Sequence, residues 1–204
     1  MMDIDSVMGL APVIPVLMVD DIAHARPLAE ALVAGGLPVL EVTLRTPVAL
    51  DVITEMAKVP GAIVGAGTVI SSGDLAAALV AGARFVVSPG ITAALGSAAR
   101  TSGVPFLPGV SSASDIIRAQ EMGFNLLKFF PAVAAGGLPM LRALTAPFRN
   151  VRFCPTGGIS QDSAAEWLGE PAVACVGGSW IAKRGETDWT AIEARARAAA
   201  ALRG

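Results

Sequence analysis

Eight short apolar runs, each followed by a stretch rich in alanine and leucine, set what this 204-residue chain can fold into. The runs fall near 12–18, 38–44, 61–66, 84–88, 104–108, 125–130, 151–155 and 172–177. They are nearly continuous in apolar content, as in Val13-Ile14-Pro15-Val16-Leu17-Met18-Val19. That is the pattern of strands covered on both faces. Helices are expected near 21–34, 47–58, 72–81, 92–101, 112–122, 137–145, 161–168 and 188–202. Gly35-Gly36, Gly82, Gly103 and Gly123 stand where left-handed helix ends belong. Ser72, Thr92, Ser112 and Ser160 suit N-caps. Eight strand–helix units predict an α/β protein, a single-domain (β/α)8 TIM barrel over residues 1–204. A short helix from Ile4 to Leu10 is expected to close one end. A doubly wound open sheet is the alternative, but no Gly-x-Gly-x-x-Gly fingerprint follows the first run.

Composition narrows the function classes. Apolar residues make up 53% and charged residues 16%, more apolar than an ordinary soluble domain. No apolar stretch is long enough to span a membrane, and Met1-Met2-Asp3-Ile4-Asp5 lacks the basic start of a signal peptide. The net charge of −2, with no basic patch, argues against nucleic acid. The surplus apolar surface suits a subunit interface. Cys154 and Cys175 lie in apolar runs and read as buried reduced thiols of a cytoplasmic protein. His24 is the single histidine, so neither a His-ligated zinc nor a Ser-His-Asp triad is expected. The expectation is no metal and no cofactor.

Lys128 is the outstanding residue. The chain has three lysines; Lys58 lies near Pro60 and Lys183 beside Arg184, while Lys128 sits inside Asn125-Leu126-Leu127-Lys128-Phe129-Phe130-Pro131. A buried ammonium is costly unless it is paired or sheds its proton. A lysine driven to the neutral amine is a nucleophile toward carbonyls, and its usual product is a Schiff base. The plainer reading is a strand-end lysine reaching out to solvent.

In such a barrel chemistry gathers at the C-terminal ends of the strands, and the unusual residues fall there. Side chains alternate along a strand, so Glu41, Thr43 and Arg45 share one face. An inward face would bring a carboxylate and a guanidinium to one mouth; an outward face would leave a surface ion pair. Glu41 begins inside an apolar run, where a carboxylate needs a partner or takes up a proton, and a proton shuttle does both. Gly157-Gly158 and Gly177-Gly178-Ser179 follow the last two strands, the usual phosphate position of these barrels. Each glycine pair alone also fits a tight turn. Thr68, in Gly65-Ala66-Gly67-Thr68, binds an anion or simply ends a strand. Together these residues describe a phosphorylated 2-oxo acid as the small-molecule substrate, handled through an imine.

Several segments then resemble one known family. They are Glu41-Val42-Thr43-Leu44-Arg45-Thr46, Val64-Gly65-Ala66-Gly67-Thr68-Val69, Ser88-Pro89-Gly90, Lys128-Phe129-Phe130-Pro131-Ala132, Arg152-Phe153-Cys154-Pro155-Thr156-Gly157-Gly158-Ile159 and Val176-Gly177-Gly178-Ser179-Trp180. The family is the bacterial 2-keto-3-deoxy-6-phosphogluconate aldolase, also described as 4-hydroxy-2-oxoglutarate aldolase. The resemblance implies a compact barrel, a metal-independent class I aldolase of the Entner–Doudoroff pathway and a homotrimer. It implies Lys128 as the Schiff-base residue and Glu41 as the general acid/base. Arg45 and Thr68 would hold the pyruvate carboxylate, and Thr156 would line the pocket. Gly157, Gly158, Gly178 and Ser179 would bind phosphate. Val133 departs from the acidic residue that relatives often carry after Phe-Phe-Pro-Ala. Two rivals are a sugar-phosphate epimerase, which leaves Lys128 without a role, and a barrel kept only for binding, which needs no nucleophile.

Overall fold

The structure, a computed structural model, describes residues 3–202; Met1, Met2, Arg203 and Gly204 lie outside it. The chain opens with α1 (Ile4–Met8), shorter than the expected Ile4–Leu10, whose Val7 and Met8 are fully buried. An ion pair between Asp5 and Arg152 ties this helix to the start of the eighth strand.

The units then alternate in chain order. They are β1 (Val13–Leu17), a 3-10 turn (Ile22–His24) running into α2 (Ala25–Ala34), β2 (Val39–Thr43), α3 (Ala49–Met56), β3 (Ile63–Gly67) and α4 (Ser72–Val80). Next come β4 (Val86–Val87), α5 (Ala93–Ser102), β5 (Phe106–Leu107), β6 (Gly109–Val110), α6 (Ala113–Glu121) and β7 (Leu126–Phe129). The chain finishes with α7 (Gly137–Thr145), β8 (Arg152–Phe153), α8 (Gln161–Leu168), β9 (Val176–Gly178) and α9 (Trp189–Ala200).

All strand pairs are parallel. One sheet runs β5-β4-β3-β2-β1-β9 and the other β6-β7-β8. The fifth expected strand is therefore split at Pro108. A proline has no N–H to give a ladder; its carbonyl still accepts from the Lys128 N–H at 2.8 Å. Single parallel bridges, Phe153↔Val173 and Thr156↔Gly177, join β8 and the segment after it to the approach of β9 and to β9 itself. The result is a curled parallel sheet with helices outside it. Burial on both faces, read from the apolar runs, is what β2 and β7 show: every residue of each is buried.

Two expectations need correction. The cap of α4 is Ser71, not Ser72: the Ser71 hydroxyl accepts from the Asp74 N–H and the Asp74 carboxylate accepts from the Ser71 N–H. Both serines fit the composition rule, and only the geometry of this reciprocal pair chooses between them. The runs at 151–155 and 172–177 yield shorter strands than their apolar length suggests: Pro155 has no N–H to give a ladder, and regular pairing of the last run begins only at Val176. Among the described residues no helix is long and apolar enough to cross a membrane.

Candidate active site

β2 and β7 are not neighbours in either sheet. Their side chains nevertheless meet inside the curl: Lys128 Nζ lies 2.9 Å from Glu41 Oε1. The inward orientation of Glu41 is thereby realised, and the surface pairing with Arg45 is not. The two side chains are only 5% and 4% exposed. Lys128 Nζ also stands 5.4 Å from the centre of the Phe130 ring, within reach of a cation–π contact. Mutual pairing is what lets both charges sit in an apolar interior, since losing one partner of such a pair costs about 3–5 kcal/mol. A single hydrogen bond joins the two groups directly.

Gly67 makes this pair possible. It lies opposite Thr43 in the β2–β3 register, and a Cβ there would stand 2.2 Å from Glu41 Oε1. Gly65, opposite Glu41 itself, leaves room for the buried Phe85 ring in the same way. Neither role is readable from the sequence, because each depends on which side chain crosses from another strand.

Toward the mouth, Arg45 is exposed and its Nε donates to Thr68 Oγ1 at 3.1 Å. Thr68 has φ 62°, the one positive φ among the described non-glycine residues. A β-branched residue there is strained by roughly 1–3 kcal/mol, and in this conformation its hydroxyl accepts from the guanidinium. Thr43 is instead a scaffold residue. Its hydroxyl donates to Leu17 O at 2.9 Å, and that of Thr46 donates to Val19 O at 2.7 Å. These bonds fasten the end of β2 and the turn after it to the end of β1 and the segment that follows.

Thr156 is buried and its Oγ1 occupies the space over Gly177, where a Cβ would be 2.2 Å away. Gly157 and Gly158 have φ 102° and 81°, so their turn does require glycine. Gly177 and Gly178 do not share that reason. Gly177 gives way to Thr156, and Gly178 gives way to the Trp180 ring, which would stand 2.3 Å from a Cβ at that position. The segment after β7 lies on the glycine turn: the Ala132 N–H donates to Thr156 O at 2.8 Å and the Val133 N–H to Gly157 O at 3.0 Å. Val133 is half exposed and packs beside Gly158.

Arg45, Thr43, Ser179, Lys183 and Arg184 line one cleft of about 300 Å³ with Val16, Leu17 and Met18. Glu41 and Lys128 do not line it; Glu41 lies two residues back along β2 from Thr43, paired with Lys128. The structure thus brings together Glu41 with Lys128, Arg45 with Thr68, and Arg45 with Ser179. It puts the Gly157-Gly158 turn beside the β7 segment and outside the walls of this cleft. A second cleft of similar size, lined by Val69, Ile70, Pro89, Ile91 and Val110, holds none of the expected site residues.

A sequence model of the KDPG and KHG aldolases matches residues 4–195. The 2-dehydro-3-deoxy-phosphogluconate aldolase of Zymomonas mobilis is 54% identical over 203 residues, 100% of this chain and 98% of that protein. The crystal structure of the Zymomonas mobilis 2-keto-3-deoxy-6-phosphogluconate aldolase with 3-phosphoglycerate superposes with a TM-score of 0.97 at 54% identity, covering 98% of this chain and 96% of the other. That of the Legionella pneumophila KDPG aldolase, with pyruvate captured as a covalent carbinolamine, gives 0.94 at 46% identity over 98% of each chain. A buried lysine–carboxylate pair under an arginine-lined mouth, in a chain alike over nearly its whole length, leads to one statement: this chain belongs to the KDPG and KHG aldolase family.

Proposed function

We propose that this chain is a class I aldolase that cleaves 2-dehydro-3-deoxy-6-phosphogluconate to pyruvate and glyceraldehyde 3-phosphate in the Entner–Doudoroff pathway. The observation that carries the proposal is the buried 2.9 Å contact between Lys128 Nζ and Glu41 Oε1. Lys128, its proton passed to Glu41, attacks C2 of the substrate to form a carbinolamine; Glu41 returns that proton to the carbinolamine hydroxyl, which leaves as water, and an iminium and the Glu41 carboxylate remain. Glu41 takes the proton of the C4 hydroxyl, directly or through water. The C3–C4 electrons move into the enamine, and C4 leaves as the aldehyde of glyceraldehyde 3-phosphate. Glu41 then returns a proton to C3, and hydrolysis of the iminium frees pyruvate and Lys128.

Arg45, set by Thr68, holds the substrate carboxylate so that C2 meets the amine. Thr156 lines the pocket, and Gly157, Gly158, Gly178 and Ser179 receive the phosphate. The pyruvate adduct of the Legionella relative and the phosphoglycerate complex of the Zymomonas relative support the two ends of this reading. A second reading, a general 4-hydroxy-2-oxoglutarate/pyruvate aldolase, is favoured by the family itself, which spans both substrates.

The wider reading is a closed (β/α)8 barrel forming one domain over residues 1–204, acting without metal as a cytoplasmic homotrimer. The two bridges beside β9 support closure on that side. Among the described residues no three His, Cys, Asp or Glu side chains gather as metal ligands. Turnover of the phosphorylated substrate, followed as pyruvate released, tests the proposal. It should persist after exhaustive chelation and vanish in Lys128→Arg, because a guanidinium stays protonated and forms no imine. Activity restored by a divalent ion after chelation, or retained in Lys128→Arg, would remove the reading.

A further inference from the structure

The cleft that holds Arg45 and Ser179 has three cations on its walls, and two are already committed. Arg45 is bonded to Thr68. Arg184 makes two bonds to Asp20, each 2.7 Å. Among the described residues no carboxylate lies within ion-pair distance of the third, Lys183.

The acids near Lys183 have other partners. Lys183 also borders a smaller cleft of about 70 Å³ lined by Asp20, Asp21 and Glu186. Asp20 holds Arg184, and Asp21 accepts from the Ala23 N–H at 2.9 Å. Glu186 lies 2.7 Å from Arg195. Its carboxyl is held below the usual range first by the Arg195 hydrogen bond and least by the field of Lys183. Glu186 does fix the Lys183 backbone, accepting its N–H at 3.0 Å and donating its own N–H to Lys183 O at 3.1 Å. Arg195 Nε also holds Ile181 O at 2.8 Å. The segment from Ile181 to Glu186 is thus anchored on both sides, while the charge of its lysine has no carboxylate partner among the described residues.

We infer that Lys183 is a specificity-determining residue, a cation at the rim that draws in the phosphate of the substrate and favours phosphorylated over unphosphorylated 2-oxo acids. This rests on the reading of the cleft as the substrate site. A phosphate ester carries about −1.5 to −2 charge at neutral pH, and a lysine meets it as a point charge. The second carboxylate of 4-hydroxy-2-oxoglutarate is bonded to C4 itself, two carbons short of the phosphate-bearing carbon. It approaches the rim less closely.

The test compares kcat/KM for the two substrates in the wild type, Lys183→Gln and Lys183→Arg, with exchange of pyruvate methyl protons as the phosphate-free reference. Lys183→Gln should lower kcat/KM for the phosphorylated substrate roughly two- to fivefold, the range of an exposed charge pair. The loss should sit in KM, shrink at high ionic strength and be reversed in Lys183→Arg. Proton exchange should stay at the wild-type rate. Equal losses on both substrates, or no loss on the phosphorylated one, would overturn the inference. If the wild type already shows no preference for the phosphorylated substrate, the reading of the cleft fails with it. If the wild type prefers phosphate and Ser179→Ala alone erodes that preference, only the role of Lys183 falls.

Discussion

Replacing Gly67 by alanine tests how the carboxylate is positioned without touching either reacting side chain. A Cβ at this position would stand 2.2 Å from Glu41 Oε1, 2.7 Å from its Cγ and 2.8 Å from its Cδ. Non-bonded heavy atoms settle at about 3.5–4.0 Å, so the carboxylate must retreat by roughly 1 Å or more. A retreat of that size breaks a contact now 2.9 Å long. Misplacing a catalytic group by about 1 Å costs about 10²-fold, and losing the shuttle altogether costs about 10²–10⁴-fold. At about 1.36 kcal/mol per factor of ten, the barrier rises by roughly 3–5 kcal/mol. Gly67→Ala should therefore cut kcat for cleavage at least about a hundredfold, while slow imine formation at Lys128 survives because the amine itself is not displaced. Gly73→Ala is the control. That glycine is exposed in α4, and a Cβ there would stand 3.6 Å from its nearest neighbour, an ordinary contact. Wild-type turnover in purified Gly67→Ala would refute the argument that this glycine holds the carboxylate in place.

Other perturbations separate the remaining roles. In Glu41→Gln the imine should form and persist, with cleavage and pyruvate proton exchange slowed about 10²–10⁴-fold. Near-normal exchange, followed by loss of the pyruvate methyl NMR signal in heavy water, would exclude Glu41 as the shuttle. Thr68→Gly should relieve the positive-φ strain but remove the hydroxyl that Arg45 holds. Thermal unfolding should show no loss of stability while KM for pyruvate exchange rises; an unchanged KM would free Arg45 from any dependence on Thr68.

How much of this is legible in the sequence depends on how local each feature is. The alternation of apolar runs and helices is visible, because burial on both faces writes itself into consecutive residues such as those of β2. Lys128 stands out for the same reason, as a charge inside an apolar strand. The left-handed residues at Gly36, Gly82, Gly103 and Gly123 are readable too, since each follows a helix. The break at Pro108 is not, although the proline is there. A single proline does not say which neighbour the strand will pair with on each side of it. The Glu41–Lys128 contact spans 87 positions and exists only because the sheet curls, so no spacing rule reports it. The glycine pairs after β8 and within β9 look alike in sequence and prove different. Those at 157 and 158 bend the chain, whereas Gly177 and Gly178 yield space to Thr156 and Trp180.

The central claim is that Lys128 is the residue that becomes covalently attached to pyruvate, and borohydride reduction tests it most directly. The protein is incubated with pyruvate, reduced and digested, and the peptides are weighed by mass spectrometry. The account predicts loss of activity that requires pyruvate, with the mass of one reduced pyruvyl group on Lys128. Lys58, which reaches Glu55 at the surface, and Lys183 at the rim should remain unmodified. A pyruvyl group on either of those lysines with Lys128 left bare, or no pyruvate-dependent labelling at all in active enzyme, would contradict it.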